Sequence, residues 1–366
     1  MLIKDITGFL ETIAPISLQE DYDNAGLIVG NAEAECIGAI LSLDCTEEIV
    51  QEAIEKNCNL IVTHHPIIFK GVKKITGSNY VERTIIKAIK NDIAIYAIHT
   101  NLDNVLNGVN GKIAEMIGLE NVKILSPKQG VLRKLAVFVQ AEHETKLSEA
   151  LFAAGAGNIG NYSECSFKTT GIGTFNPGVN ANPFSGDIGV RSNGEEVKVE
   201  VIFPAWLQND IIKAMKANHP YEEVAYYIYD LKNHFQETGS GVTGELTQPL
   251  NENEFFNLLK KVFNLTLIKH TALLGKPCKK IAICGGAGSF LINAAKAAGA
   301  DVFITSDIKY HEFFDADRQL VLADIGHFES EQFTIDLFYD LLSNKFPTFA
   351  LLKTGLNTNP VQYFVS

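Results

Sequence analysis

Short apolar runs alternate with amphipathic segments over the first third of the chain. GLIVG, IGAILSLD, NLIVTHH and IAIYAIHT carry few polar residues, which is typical of strands buried on both faces of a sheet. Between them, TEEIVQEAIEKN and VERTIIKAIKN have apolar residues at helical spacing, and Thr46 is a suitable N-cap for the first of these helices. Buried strands alternating with helices predict a mostly parallel α/β sheet with helices on its faces.

The pattern changes near residue 129. LAVFVQ predicts a strand, a helix follows over about 144–154, and NYSECSFKTTGIGTF contains the next strand. EVKVEVIFP then alternates with period two, a second helix covers about 206–218, and VAYYIYDL closes the segment. This βαββαβ order is that of the ferredoxin-like unit, and the stretch NPGVNANPFSGDIG predicts a long loop inside it. Residues 129–232 are therefore predicted to form an inserted domain.

The α/β pattern resumes after residue 232. KKIAICGG, DVFITSD, QLVLADIG and FALLKT read as strands, and LINAAKAAGA and SEQFTIDLFYDLLSNKF as helices. The predicted fold class is α/β, with two similar α/β lobes, 1–128 and 233–366, forming one discontinuous domain. The ferredoxin-like domain 129–232 is inserted between them.

Composition excludes several classes of protein. The chain has 366 residues, 46% of them hydrophobic and 20% charged, which is typical of a globular protein with a large core. A net charge of −12 argues against a surface that coats nucleic acid, but it leaves room for a small anionic substrate in a local pocket. The six cysteines form no CxxC pair, and no leader or membrane span is evident, so free thiols and a cytoplasmic location are predicted.

Polar residues follow the predicted strands, where open α/β sheets build their sites. His64 and His65 end IVTHHP, and Asp103 lies in HTNLD after the next strand. Neighbouring residues of a strand point to opposite sides, so the two imidazoles suit two ions better than one. His327 and Glu331 are one helical turn apart in GHFESE, so both can reach one metal centre.

Each of these signals has a structural alternative when it is taken alone. A histidine pair can lie in a turn, Glu331 can be a carboxylate favoured by a helix N-terminus, and Asp103 can cap a turn. Together, three histidines, one aspartate and one glutamate form a nitrogen and oxygen ligand set suited to two divalent ions, Zn²⁺, Mn²⁺ or Fe²⁺. No cysteine accompanies them, which disfavours a closed structural zinc site. Two such ions would activate a water molecule and clamp an oxyanion.

Other polar residues near these motifs leave alternatives open. His99 is a candidate acid/base, a partner orienting Asp103, or a core histidine. Asp23 lines the site or forms a turn. CGGAGS lacks the GK[ST] of a P-loop and is a weak candidate for a phosphate cradle. Three residues of ITSDIKYH are candidates for binding an anionic substrate, and the alternative is that they begin a surface helix: Asp307, Lys309 and His311.

The motifs IVTHHP, HTNLD, DNAGLIVG and GHFESE together resemble the Nif-three-like dinuclear-metal proteins, also called GTP cyclohydrolase I type 2 homologues. CGGAGS, ITSDIKYH and HPYEEVAYYIYDL resemble further motifs of the longer bacterial members, so the resemblance covers essentially the whole chain. One departure is Ser306, where the family more often has glycine before Asp307.

The resemblance implies a set of metal ligands and an assembly. His64 and His65 would each bind one of two divalent ions, with zinc favoured over iron or manganese. Asp103 would complete one ion, His327 the other, and Glu331 would bridge them. The family also implies a homohexamer built as a trimer of dimers.

Two classes of function remain open from the sequence. The first is metal-dependent hydrolysis of a nucleotide or phosphorylated small molecule, with His99 as the candidate proton-transfer residue. The alternative is a non-enzymatic metal or ligand sensor, which the inserted domain favours because hydrolysis needs no such appendage. A scaffold for single-stranded nucleic acid is a third hypothesis, against which the net charge counts.

Overall fold

The computed structural model of the chain describes residues 1–364 and has a mixed α/β fold. The described part forms two compact units. The first comprises Met1–Pro127 and the described residues from Glu237 onward, and the second is Lys128–Gln236. The predicted insert, 129–232, falls within the second unit.

The strands of the described residues, in chain order, are β1 Gly26–Val29, β2 Ala39–Ser42, β3 Leu60–Thr63, β4 Ala94–Ala97, β5 Leu119–Pro127, β6 Leu132–Val139, β7 Phe167–Phe175, β8 Ser192–Pro204, β9 Tyr226–Leu231, β10 Gly239–Leu250, β11 Lys269–His270, β12 Cys278–Ala287, β13 Val302–Ser306, β14 Val321–Asp324 and β15 Leu351–Lys353. The α-helices are α1 Ile3–Ile13, α2 Glu47–Glu55, α3 Tyr80–Lys90, α4 Thr100–Asp103, α5 Val109–Met116, α6 Ala141–Ala153, α7 Gln208–Asn218, α8 Glu252–Phe263, α9 Ile292–Ala297, α10 His327–Glu331 and α11 Thr334–Lys345. Short 3-10 helices cover Ile16–Leu18, Ala205–Leu207, Ser289–Leu291 and Tyr310–Ala316.

The first sheet of the first unit has the strand order β1-β4-β3-β2-β15. All its neighbouring pairs are parallel except β1 with β4. Every residue of β2, β3 and β4 is buried, as their continuous apolar sequences predict. Helices α2 and α3 cover the sheet through an apolar cluster that includes Ile49, Val50 and Ile85. Thr46 caps α2 as predicted, because its hydroxyl oxygen accepts a hydrogen bond from the Ile49 N–H.

The register of this sheet brings several strand ends to one edge. Thr63, the last residue of β3, pairs with Ser42 on β2 and with Ala97 on β4. The three strands therefore end at the same level, and the residues that follow them are close in space. His64 and His99 both lie just beyond this edge.

The second sheet of the first unit has the order β11-β14-β13-β12-β10-β5. Only β12, β13 and β14 are parallel to one another, while β10 pairs antiparallel with both β5 and β12. The mostly parallel arrangement predicted from the first third of the chain therefore holds for the first sheet, whereas the second sheet is mixed. The β10 sequence GSGVTGELTQPL mixes glycine and polar residues with few apolar ones, so it lacks the continuous apolar run of a buried parallel strand.

The second unit has one antiparallel sheet of order β7-β8-β6-β9. Its chain order is β6-α6-β7-β8-α7-β9, and a loop over 176–191 joins the edge strand β7 to β8. Leu135 and Val199 on the sheet pack with Leu151 of α6 and Met215 of α7 in one apolar cluster. This unit therefore has a hydrophobic core of its own.

Within the described residues, no helix has the length and apolar character needed to cross a membrane. All six cysteines are free thiols, and Cys165 is the most accessible of them. Both findings agree with the absence of a CxxC pair or a long apolar run in the sequence.

Candidate metal centre

The five residues predicted as metal ligands come together in the first unit. His64 and His65 follow β3, and Asp103 ends α4 just after β4. His327 and Glu331 are the first and last residues of α10, which follows β14 in the second sheet. The centre is therefore assembled from the carboxyl ends of strands in both sheets, as expected for an α/β fold.

The carboxylate of Glu331 lies at the middle of the cluster and is only 3% exposed. Its Oε2 atom is 3.0 Å from His65 Nε2 and 3.1 Å from His327 Nε2. Its Oε1 atom faces the other side and is 3.8 Å from His64 Nε2. One carboxylate thus faces two different sets of imidazoles, one with each oxygen.

On the side of Glu331 Oε1, two buried side-chain atoms that could coordinate a metal lack a hydrogen-bond partner among the described residues. His64 Nε2 and Asp103 Oδ1 have no hydrogen-bond partner within residues 1–364, and they are 3.7 Å apart. A buried polar atom without a partner costs free energy, so two facing each other indicate a missing third group. When His64 carries its proton on Nδ1, its Nε2 atom and Asp103 Oδ1 both present lone pairs to the missing group. A metal ion therefore fits this position.

Two groups of side chains have ligand atoms within 4.8 Å of one another around Glu331. They are His64 with Asp103 and Glu331, and His65 with His327 and Glu331. Both contain the nitrogen and oxygen donors that divalent first-row metals accept. The chain thus has groups of His, Asp and Glu that could hold a metal ion.

The imidazoles of the centre are all oriented in the same way. In each, Nδ1 faces an oxygen that accepts a hydrogen bond, so Nδ1 carries the proton and Nε2 faces the centre. The Nδ1 partners are Ile98 O for His64 at 2.9 Å, Asp44 Oδ1 for His65 at 2.8 Å, Asp23 Oδ1 for His99 at 2.8 Å and Asp307 Oδ2 for His327 at 2.7 Å. The surrounding oxygens therefore prepare the Nε2 atoms for coordination.

His64 and His65 do not point to opposite sides of a strand as expected. Their ring centroids are 4.9 Å apart, and both Nε2 atoms face Glu331, although they face different oxygens. The reason is that β3 ends at Thr63, so the alternation of an extended strand no longer applies to the two histidines.

Gly286 lets the Glu331 carboxylate approach the backbone. A Cβ atom at this position would lie 2.3 Å from Glu331 Oε1, and Gly286 has a φ of +63°, which favours glycine. The preceding Gly285 N–H donates to Asn110 Oδ1 at 2.8 Å. The CGGAGS motif, which the sequence suggested as a weak phosphate cradle, thus packs against the candidate metal ligand.

Charges in the centre shift the pKa values of its groups strongly. Burial raises the pKa of Asp103 to about 7. Burial also opposes the ionisation of Glu331, but hydrogen bonds with His327 and His65 and the nearby His64 imidazole hold its pKa well below the usual range. Although burial acts against it, hydrogen bonding to Asp44 and Glu331 raises the pKa of His65 to about 10. Perturbed groups concentrated in one cleft are typical of functional sites.

His99 is a buried residue that lies beside the centre. Its ring packs edge-on against His64 and Phe69, with centroid distances of 5.1 and 5.4 Å. Its Nδ1 bonds to Asp23, which also accepts from the Thr100 N–H and hydroxyl. These bonds overcome burial and lower the pKa of Asp23 to about 2. The Asp103 N–H donates to the His99 carbonyl oxygen at 3.1 Å, so the link between these two residues runs through the backbone.

Two carboxylates of the centre have roles that the sequence did not reveal. Asp44 orients His65, and Asp307 orients His327. Asp44 comes soon after β2 and Asp307 directly after β13, but the histidines that they orient follow other strands. Of the other residues in ITSDIKYH, His311 packs on Tyr310 and Phe314 at an exposed surface, with ring centroids 5.2 and 6.4 Å away.

A cavity of about 1230 Å³ opens onto the centre. Aromatic side chains, including Phe69 and Phe290, line it beside the imidazoles. Residues near the C-terminus, including Thr358 and Tyr363, form another part of its wall. A ligand of small-molecule size therefore has access to the candidate metal ligands.

Comparison with known proteins identifies the family of the chain. Residues 1–360 match the family model described as Duf34/NIF3 (NGG1p interacting factor 3). A Staphylococcus epidermidis relative named GTP cyclohydrolase 1 type 2 homolog is 35% identical, over 99% of this chain and 100% of the relative. A Halalkalibacterium halodurans protein of the same name is 40% identical over 88% of each chain.

A solved Bacillus cereus protein, described as related to NIF3, has a TM-score of 0.87 and 36% identity to this chain. The match covers 100% of this chain and 99% of that one. A solved Staphylococcus aureus protein has a TM-score of 0.77 and 30% identity with the same coverage. The chain belongs to the Duf34/NIF3 family.

Proposed function

We propose that the protein is a dinuclear metal-dependent hydrolase that acts on a nucleotide or phosphorylated small molecule. The observation that carries the proposal is Glu331, whose two carboxylate oxygens face two separate ligand groups. The name GTP cyclohydrolase 1 type 2 homolog, borne by the relatives, supports a nucleotide-like substrate.

In this proposal His64 and Asp103 would hold one ion, His65 and His327 would hold the other, and Glu331 would contribute to both groups. When bound, two divalent ions supply a polarised water and an electrophilic clamp for an oxyanion. Zinc is the proposed metal, with iron or manganese as alternatives, because nitrogen and carboxylate ligands suit all three.

The residues around the ligands have separate tasks. Asp44 and Asp307 keep the imidazoles of His65 and His327 turned toward the centre through their Nδ1 atoms. His99 is held by Asp23 through Nδ1 and lines the cavity, where its Nε2 would give or take the proton. His99 is therefore the proposed proton-transfer residue.

The proposal extends to the organisation of the chain. Residues 1–128 and 233–366 are proposed as two similar lobes of one domain, and 129–232 as a ferredoxin-like insert, since the chain order of this unit is βαββαβ. A homohexamer and a cytoplasmic location complete the proposal. The free cysteines fit a reducing compartment.

Glu331→Ala tests the hydrolase proposal. Wild-type protein loaded with Zn²⁺, Mn²⁺ or Fe²⁺ is expected to hydrolyse at least one member of a panel of nucleotides and phosphoesters. The variant is expected to lose this turnover and to bind fewer ions by elemental analysis, because both ligand groups share the deleted carboxylate. Glu55→Ala, an exposed glutamate of α2, serves as the control and retains both properties. Full activity in Glu331→Ala would contradict the proposed centre.

The alternative function is a metal or ligand sensor without turnover. The separate hydrophobic core of the second unit favours it, since hydrolysis requires no such unit. A sensor is expected to bind members of the same panel, measured as a rise in melting temperature, while releasing no product. Product formation that is lost in Glu331→Ala would exclude this alternative.

A further inference from the structure

The residues after β15 run along the wall of the metal cavity. We name residues 354–363 the C-terminal segment. Its first residues are held to the first sheet, because the Thr354 N–H donates to Leu41 O at 3.0 Å. The Thr354 hydroxyl and the Gly355 N–H both donate to the carboxylate of Glu52, the latter at 2.9 Å. The segment thus begins from a well-anchored position.

Thr358 connects this segment to the candidate centre. Its hydroxyl donates to Asp44 Oδ2 at 2.6 Å, while Asp44 Oδ1 accepts from His65 Nδ1 at 2.8 Å. His65 Nε2 in turn lies 3.0 Å from Glu331 Oε2. Because Thr358 and His65 occupy one oxygen each, they fix the rotation of the Asp44 carboxylate between them.

The segment also contacts the helix that carries the other ligands. Asn359 Nδ2 donates to Glu329 Oε1 at 3.2 Å, and Glu329 lies on α10 between His327 and Glu331. Thr358 and Asn359 therefore connect the segment to two places. Thr358 contacts Asp44, which comes after a strand of the first sheet, and Asn359 contacts α10, which comes after a strand of the second sheet. His64 and Asp103 have no such connection to the segment among the contacts described above.

We propose that Thr358 is a positioning residue that acts through Asp44 to set the orientation of His65. On the proposed function, it tunes the affinity of the group formed by His65, His327 and Glu331 for its ion. Residues that orient a coordinating histidine typically change metal affinity about 10- to 100-fold when they are removed. The group formed by His64, Asp103 and Glu331 keeps its affinity.

Thr358→Val removes the hydroxyl while nearly preserving the shape of the side chain. Competition with a chromophoric chelator is expected to give two Zn²⁺ sites in the wild type, and one site weakened about 10- to 100-fold in the variant. With Co²⁺ as the probe, the visible absorption of one bound ion is expected to change and that of the other to persist. A loss caused by general instability would not separate the two ions in this way.

Three further variants separate positioning from structure. Thr358→Ser keeps a hydroxyl and is expected to restore both the affinity and the spectrum. Thr354→Val removes a hydroxyl of the same segment that contacts Glu52, so both ions are expected to bind as in the wild type. In a His327→Ala background, which removes a ligand of the affected group, Thr358→Val is expected to have no additional effect on the remaining ion.

The outcomes distinguish this inference from the function on which it rests. Two Zn²⁺ sites of unchanged affinity in Thr358→Val would overturn the inference alone. Equal weakening by Thr354→Val would also overturn it, because the effect would then belong to the segment in general. A wild-type protein that binds no Zn²⁺ would contradict the proposed function together with the inference.

Discussion

Gly286 is the residue on which the approach of Glu331 to the backbone depends. Glu331 is buried and held by His65 and His327, so its carboxylate has little freedom to move away from a new side chain. A Cβ atom at position 286 would lie 2.3 Å from Glu331 Oε1, well inside van der Waals contact. The position of the Glu331 carboxylate therefore requires a residue without a side chain at position 286.

Gly286→Ala is expected to weaken Zn²⁺ binding at least tenfold, because the added methyl group displaces the carboxylate shared by both ligand groups. Gly275→Ala is the matched control, since Gly275 has a similar φ of +70° and no atom within 4 Å of its added Cβ. The control is expected to cost about 1–2 kcal/mol of stability through backbone strain while leaving Zn²⁺ binding unchanged. Chelator competition and thermal melts measure the two effects, and equal Zn²⁺ affinities in both variants would contradict the prediction.

Among the helices, α8 has a clear N-terminal capping signal in its sequence. The sequence NENE before FFNLLKKVF forms a capping box, in which Asn251 Oδ1 accepts from the Glu254 N–H at 2.9 Å and Glu254 Oε2 accepts from the Asn251 N–H at 3.1 Å. Phe255 and Leu259 are buried on its inner face. This helix was not among the elements predicted from the sequence.

Asn251→Ala is expected to destabilise the protein by about 1 kcal/mol, because the first turn of α8 loses a side-chain acceptor. Asn253→Ala, at an exposed position in the same turn, is expected to change stability by less than about 0.5 kcal/mol. Urea unfolding of the two variants measures the difference. Equal stabilities would show that the capping box contributes nothing to the fold.

At the scale of the strands, continuous apolar runs identified β2, β3 and β4 correctly, because burial on both faces leaves a local pattern in the sequence. β10 left no such pattern. Buried and exposed residues alternate irregularly along it. Gly241 and Gly244 pack closely against neighbouring strands, so these positions require small residues because of contacts that form only in the folded sheet.

At the scale of the whole molecule, the second unit has an apolar core of its own. Its apolar cluster is built entirely from residues between 135 and 228, from both its helices and its sheet. A core of this kind does not require residues from elsewhere in the chain.

The fragment 128–236 is expected to fold alone and to melt in one cooperative transition measured by circular dichroism. Phe203→Ala, which removes a buried core ring, is expected to destabilise the fragment by about 3–5 kcal/mol. Phe167→Ala removes a ring that is 68% exposed, so it is expected to have less than about 0.5 kcal/mol of effect. A fragment without a cooperative transition would contradict this prediction.

The sequence by itself determined the types of the candidate ligands and the buried strands that carry them. It could do so because strand burial, helical spacing and the placement of polar residues at strand ends are local patterns. His327 and Glu331 are a good example, since their spacing alone predicts a shared helix face.

Only the tertiary structure decided which groups meet. His65 and Glu331 are 266 residues apart in sequence, and Thr358 and Asp44 are 314 apart, yet each pair is within hydrogen-bond distance. No periodicity spans such separations, because these contacts arise when different strand ends reach the same edge of the fold. The ligand types were therefore readable from the sequence, whereas their orienting partners and the glycine beside them depend on the packing of the whole first unit.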